Sequence, residues 1–132
     1  MTTFIDSSAI YAFLDRRDAN HPRAEEAWQR LLDNEVPLLT HSYVLLEIIA
    51  LLQHRLGLAA VRALHEDLAP LLQIHWIGEA QHQAAVAAVL AAAKRKLSVV
   101  DWASFQVMRE NGVRAVFCFD QHFRDQGFDV IP

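Results

Sequence analysis

The chain has 132 residues, 53% of them hydrophobic, and a formal net charge of −4. That length and apolar content suit a single domain over residues 1–132 and exclude a disordered chain. The lone cysteine, Cys118, excludes an internal disulfide, and the acidic balance excludes a polyanion binder that works by overall charge.

Nothing at the start reads as a targeting segment: no basic region precedes an apolar run, and Asp6 interrupts the first one. No apolar run approaches the ~18 residues of a membrane helix. A cytoplasmic protein without membrane contact is expected.

Taken in chain order, Thr3 to Ile5 is β-branched or aromatic and reads as a buried strand that stops at Asp6. Ser8 to Asp15 reads as a short helix, followed by the polar break Arg16 to Asn20. His21-Pro22 opens a second helix, with proline in its first turn and Ala24, Ala27, Trp28, Leu31 and Leu32 on one face. Val36 to Thr40 is a second strand. Ser42 is placed to cap a third helix, Tyr43 to Leu56, which Gly57 ends. Leu58 to Leu72 reads as a fourth helix that tolerates Pro70 only near its end. Gln73 to Ile77 is a third strand and Glu79 to Lys96 a long alanine-rich helix. Ser98 starts the next helix, which stops at Asn111-Gly112. Ala115 to Phe119 is a fourth strand ending at Asp120, and Val130-Ile131 a short last one. Short strands separated by helices imply an α/β fold of three layers: a mainly parallel sheet covered by helices on both faces. Ligands of such sheets bind beyond the carboxyl ends of the strands, where Asp6 and Asp120 fall.

Four acids interrupt or end apolar segments. Glu47 lies in SYVLLEIIALL, a helix that reads as buried all round, with no basic residue three or four positions away. Asp101 lies in LSVVDWASF, where Ser98 and Asp101 have capping-box spacing, so a helix cap and a ligand are equally good readings. Asp6 and Asp120, taken singly, read as turn or cap residues. Together the four are costly to gather in one cleft unless a cation joins them. Oxygen donors favour Mg²⁺ or Mn²⁺, and such a site suits phosphodiester hydrolysis. Lys94-Arg95-Lys96 divides between a solvated helix end and a contact for RNA phosphates, as do Arg16 and Arg17. No two of the seven histidines have metal-ligand spacing. His122, beside Asp120, reads as packing or capping, and Trp28, Trp76 and Trp102 read as core.

With these residues in place, the chain resembles the PIN-domain ribonucleases, most closely the VapC-type toxins of bacterial toxin–antitoxin pairs. FIDSSA, THSYVLLE, LSVVDWASF and FCFDQHF look like the family's four acid-bearing segments in order. The resemblance implies a PIN fold, Mg²⁺- or Mn²⁺-dependent endoribonuclease activity, frequent homodimerisation and a small antitoxin that occludes the acidic cleft. It places catalytic and metal-binding roles on Asp6, Glu47, Asp101 and Asp120, and has Ser8 orient Asp6 or a bound water. Two positions depart from the family pattern. Cys118 stands where threonine is frequent, and Gln121-His122 stand where another acid often follows, which leaves one metal or two open. The alternatives are another metal-dependent phosphoryl hydrolase, or a non-catalytic module that binds RNA or a protein partner. The apolar helices 42–56 and 58–72 suggest a dimer surface.

Overall fold

The computed structural model describes residues 1–132. Five strands form one sheet: β1 (Thr3–Ile5), β2 (Leu38–His41), β3 (Gln73–His75), β4 (Ala115–Phe117) and β5 (Asp129–Ile131). Their order is β3-β2-β1-β4-β5, and every pairing is parallel. Seven α-helices connect them: α1 (Ser7–Leu14), α2 (His21–Asp33), α3 (Ser42–Arg55), α4 (Leu58–Ala63), α5 (Glu79–Ala92), α6 (Val99–Glu110) and α7 (His122–Asp125). No helix is long and apolar enough to cross a membrane.

Successive strand residues point to opposite faces. All residues of β1, β2 and β4 are nonetheless buried, so both faces of the central sheet are covered. Edge strands β3 and β5 are partly exposed. Phe4, Phe105, Phe117, Phe123, Ile10, Ile48 and Leu52 fill the core, each fully buried. Burying one such side chain contributes about 1.5–3 kcal/mol.

Topology makes the site. From β1 the chain steps outward through β2 to β3, then crosses back to β4 on the other side of β1 and continues to β5. Neighbouring connections leave β1 and β4 in opposite directions, which opens a crevice at their carboxyl ends. β1 runs directly into Asp6, and the loop after β4 carries Asp120.

Several expected boundaries differ. His41, not Ser42, caps α3: its Nδ1 accepts from the backbone N–H groups of Tyr43 and Val44 at 3.2 and 3.3 Å. Ser42 Oγ instead accepts from Ile77 N at 2.9 Å and ties the exit of β3 to this corner. The helix expected over Leu58 to Leu72 is regular only to Ala63. It widens into a π turn over Leu64–Leu68, which sends Leu64 and Leu68 into the core, and ends as a 3₁₀ turn at Ala69–Leu71. Pro70 has no N–H to extend an α-ladder there. Helix α5 stops at Ala92, not Lys96, because Ala93 turns left-handed (φ 53°) and brings Leu97 back to the core. β4 stops at Phe117, and α7 is a short helix for which the sequence reading made no assignment. Trp28 is core as expected, but Trp76 is 72% exposed.

Candidate active site

Asp6 closes β1 and caps α1. Its N–H donates to Phe117 O at 3.1 Å, which holds it against β4. Its Oδ2 accepts from Ser8 N at 3.2 Å and from Ser8 Oγ at 2.6 Å. The same Ser8 hydroxyl accepts from Phe119 N at 3.0 Å, so one side chain links the ends of β1 and β4 and fixes the Asp6 rotamer. Burial pushes the Asp6 carboxyl up from 3.8 to about 6, against the Ser8 bonds that lower it, with smaller upward contributions from Asp101 and Asp120.

Asp101 sits in the first turn of α6, and both halves of its capping box form. Asp101 Oδ2 accepts from Ser98 N at 2.9 Å, and Ser98 Oγ accepts from Asp101 N at 3.2 Å. Cap and cleft residue are thus the same side chain. Burial raises its pKa above the usual carboxylate value, and the Asp120 charge adds to the rise. Asp120 Oδ1 accepts from His122 N at 2.8 Å, which folds the loop back on itself.

Asp6, Asp101, Asp120 and Glu47 line one open cleft of about 500 Å³ together with Ser7, Ser8, Tyr11, Asp18, Asn20, Lys96 and His122. They are not equally close. Single donor atoms of Asp101, Asp120 and His122 lie within 4.8 Å of one another. Asp6 and Glu47 fall outside that group. The burial expected of Glu47 is corrected: it is exposed at the cleft mouth, where Ser7 Oγ donates to its Oε1 at 2.7 Å. Helix α3 is not apolar-buried all round, because its outer face carries exposed Leu46 and Glu47. Of the basic run, Lys96 reaches the cleft, and all three cations line an adjoining hollow of about 650 Å³ with His122. Arg23 and Arg124 line a third hollow that shares Asn20, Phe119 and Asp120 with the cleft.

One feature escaped sequence reasoning, and a second reads there only as packing or capping. His41 is fully buried, and its Nε2 stands 2.8 Å from Ser104 Oγ, which donates to Val100 O at 2.9 Å. Since Nδ1 accepts two backbone bonds, the ring proton is on Nε2 and donates to Ser104. This chain locks the start of α3 to the turn of α6 that carries Asp101. Burial, then the charge of His75, pushes His41 down from 6.5 to about 4 and keeps it neutral. The other feature is His122, whose Nδ1 lies 3.1 Å from Asp120 Oδ1 and 3.9 Å from Asp101 Oδ2. Its position two residues after Asp120 was the available signal. Cys118 is buried and its thiol is pushed up to about 12 by burial, so it is an inert structural side chain whose Sγ lies 3.4 Å from Asp120 O.

Asp6 and Asp101, both raised chiefly by burial, with Asp120 close by and a buried ring nitrogen that makes no hydrogen bond, form a donor set suited to a divalent cation. A parallel sheet with such a set at its switch point fits an α/β protein of the metal-using nuclease class. The PIN domain family matches residues 3–129, and the chain belongs to it. At 30% identity over 95% of this chain, it is similar to the 23S rRNA-specific endonuclease VapC20 of Mycobacterium tuberculosis, 94% of which is covered, in strains CDC 1551 / Oshkosh and ATCC 25618 / H37Rv. The crystal structure of that protein, described as a sarcin–ricin loop cleaving toxin, superposes with a TM-score of 0.84 over 100% of both chains. The FitAcB structure from Neisseria gonorrhoeae shares the fold at a TM-score of 0.69 and 15% identity, over 100% of this chain and 97% of that one. The chain is a VapC-type PIN endoribonuclease toxin.

Proposed function

We propose that Asp6, Glu47, Asp101 and Asp120 hold a divalent cation, Mg²⁺ or Mn²⁺, directly or through water, and that RNA is cut beside it. The observation that carries this reading is the meeting of Asp101 and Asp120 beside buried Asp6, which comes from the other end of the chain, at the sheet's switch point. When bound, such a cation supplies a water of lowered pKa and positive charge opposite the scissile phosphate. The chain's own residues do the rest. Ser8 holds Asp6 in one rotamer, the Ser98 cap holds Asp101, and Ser7 holds Glu47 at the mouth. Cations line two hollows that adjoin the acids, with Lys94, Arg95 and Lys96 in one and Arg23 and Arg124 in the other. They offer the flanking phosphates of an RNA strand the attraction that a net charge of −4 withholds.

Full-length similarity to a 23S rRNA-specific endonuclease supports a structured ribosomal RNA loop as the substrate class. Membership of the VapC toxins supports a small cytoplasmic antitoxin that covers the cleft. Exposed Leu46, Leu56 and Leu58, on and beside α3 and α4, support a homodimer of single-domain chains.

The test is cleavage of a labelled RNA panel containing 23S rRNA fragments and unrelated single strands, with Mg²⁺, Mn²⁺ or EDTA, by wild type and Asp101→Asn. Asparagine can still accept from Ser98 N, so the variant removes charge and keeps the cap. Metal-dependent cutting by wild type, reduced at least a hundredfold in Asp101→Asn, is the expected result. Equal cutting by both proteins would point to contaminating ribonuclease and remove the support for this site.

A further inference from the structure

The carboxylates have roles in the reading above, but the ring of His122 has none. Its Nδ1 is sealed from solvent and makes no hydrogen bond. It approaches Asp120 Oδ1 to 3.1 Å without the alignment of a hydrogen bond, and Asp101 Oδ2 to 3.9 Å. A buried ring nitrogen that faces two carboxylates with no aligned hydrogen bond calls for an explanation. Adjacent ligands of an octahedral ion, bonded at 2.0–2.1 Å, stand about 3 Å apart. The approach of Nδ1 to Asp120 therefore has the spacing of two donors to one ion. The ring is also held there: His122 N donates to Asp120 Oδ1 at 2.8 Å, and the next residue, Phe123, is fully buried in the core.

We propose that His122 binds the divalent cation through Nδ1 alongside Asp101 and Asp120, and that this nitrogen donor makes the site prefer Mn²⁺ to Mg²⁺. The proposal rests on the reading that a divalent cation occupies the acidic cleft. Its chemical basis is donor type. Mg²⁺ is a hard ion that takes oxygen, whereas imidazole suits the later divalent metals, and affinity for nitrogen rises from Mn²⁺ onward. Where a further acid would leave an all-oxygen set, the histidine biases the choice. No other histidine lines the cleft, so an imidazole signal from a bound ion identifies this one.

The test is pulsed EPR of Mn²⁺ bound to the full-length wild-type protein, with Mn²⁺ and Mg²⁺ titrated by calorimetry into wild type, His122→Ala and His122→Asp. Expected are a ¹⁴N coupling of directly bound imidazole in wild type and its loss in His122→Ala. Mn²⁺ affinity should fall at least tenfold in His122→Ala, with a smaller fall for Mg²⁺. In His122→Asp the preference for Mn²⁺ over Mg²⁺ should shrink. Bound Mn²⁺ without nitrogen coupling in wild type would overturn the proposal and leave the carboxylate site standing. The wild-type spectrum decides this even if a variant folds poorly. Wild type that binds no Mn²⁺, or binds it as well after Asp101→Asn, would overturn both this proposal and the site reading beneath it.

Discussion

At the scale of single residues, the carboxylates trade stability for function. Asp6 stands at about 6 in the folded chain against 3.8 unfolded. The folded state therefore holds that proton more tightly. The stability it brings is complete below pH 3.8 and is lost as pH rises through about 6. His41 runs the opposite way, at about 4 folded against 6.5 unfolded. Its contribution is present above 6.5 and lost as pH falls through about 4. The two offset each other over one pH range, so the overall profile of the metal-free protein conceals both. Asp6→Asn isolates one of them. Its stability advantage over wild type, measured by denaturant unfolding without metal, should grow by about 3 kcal/mol between acid and neutral pH. A flat difference would show that Asp6 ionises without penalty. Ser104→Ala tests the buried link. It leaves the His41 Nε2–H without an acceptor and should destabilise the chain by about 1–3 kcal/mol in the same measurement.

Elements show where local rules yield. The capping box at Ser98 and Asp101 was legible because both partners lie within one turn. The cap of α3 was not, because histidine is an unusual cap, and His41 is held in place by Ser104, 63 positions away. Helix α5 ends early at a left-handed alanine, a conformation in which Cβ meets steric resistance. Ala93→Gly relieves that resistance and should stabilise the protein by about 0.5–1 kcal/mol, read from the unfolding midpoint. Unchanged or lowered stability would mean that the turn is held by Leu97 docking alone. Glu47 shows the same limit from the other side. Periodicity marked α3 as apolar, but which of its faces is left uncovered depends on how α1, α4 and α6 pack against it.

For the whole molecule, the governing fact is the placement of acids from four segments around one crevice. The repulsion among Asp6, Asp101 and Asp120 is built into the fold, and on the proposed reading a cation relieves it. Mn²⁺ should therefore raise the melting temperature of wild type. At a free concentration one hundred times Kd the gain is about 2.7 kcal/mol. EDTA should reverse it, and Asp101→Asn should respond much less. A melting temperature indifferent to metal would argue against a cation in the cleft.

By itself, the sequence determined the alternation of strand and helix, the parallel sheet, the single inert cysteine and the identity of four acids, each of which breaks an apolar segment. These are local properties of composition and period, or of motif order. Only the tertiary structure decided which of the acids meet. It brought Asp101 and Asp120 together, kept Asp6 buried behind them and left Glu47 exposed at the rim. It also turned His122 toward the carboxylates and His41 into the core. The reason is that donor geometry depends on strand order and helix packing between residues dozens of positions apart. Those contacts are set by the burial of the whole core, and no single segment carries them.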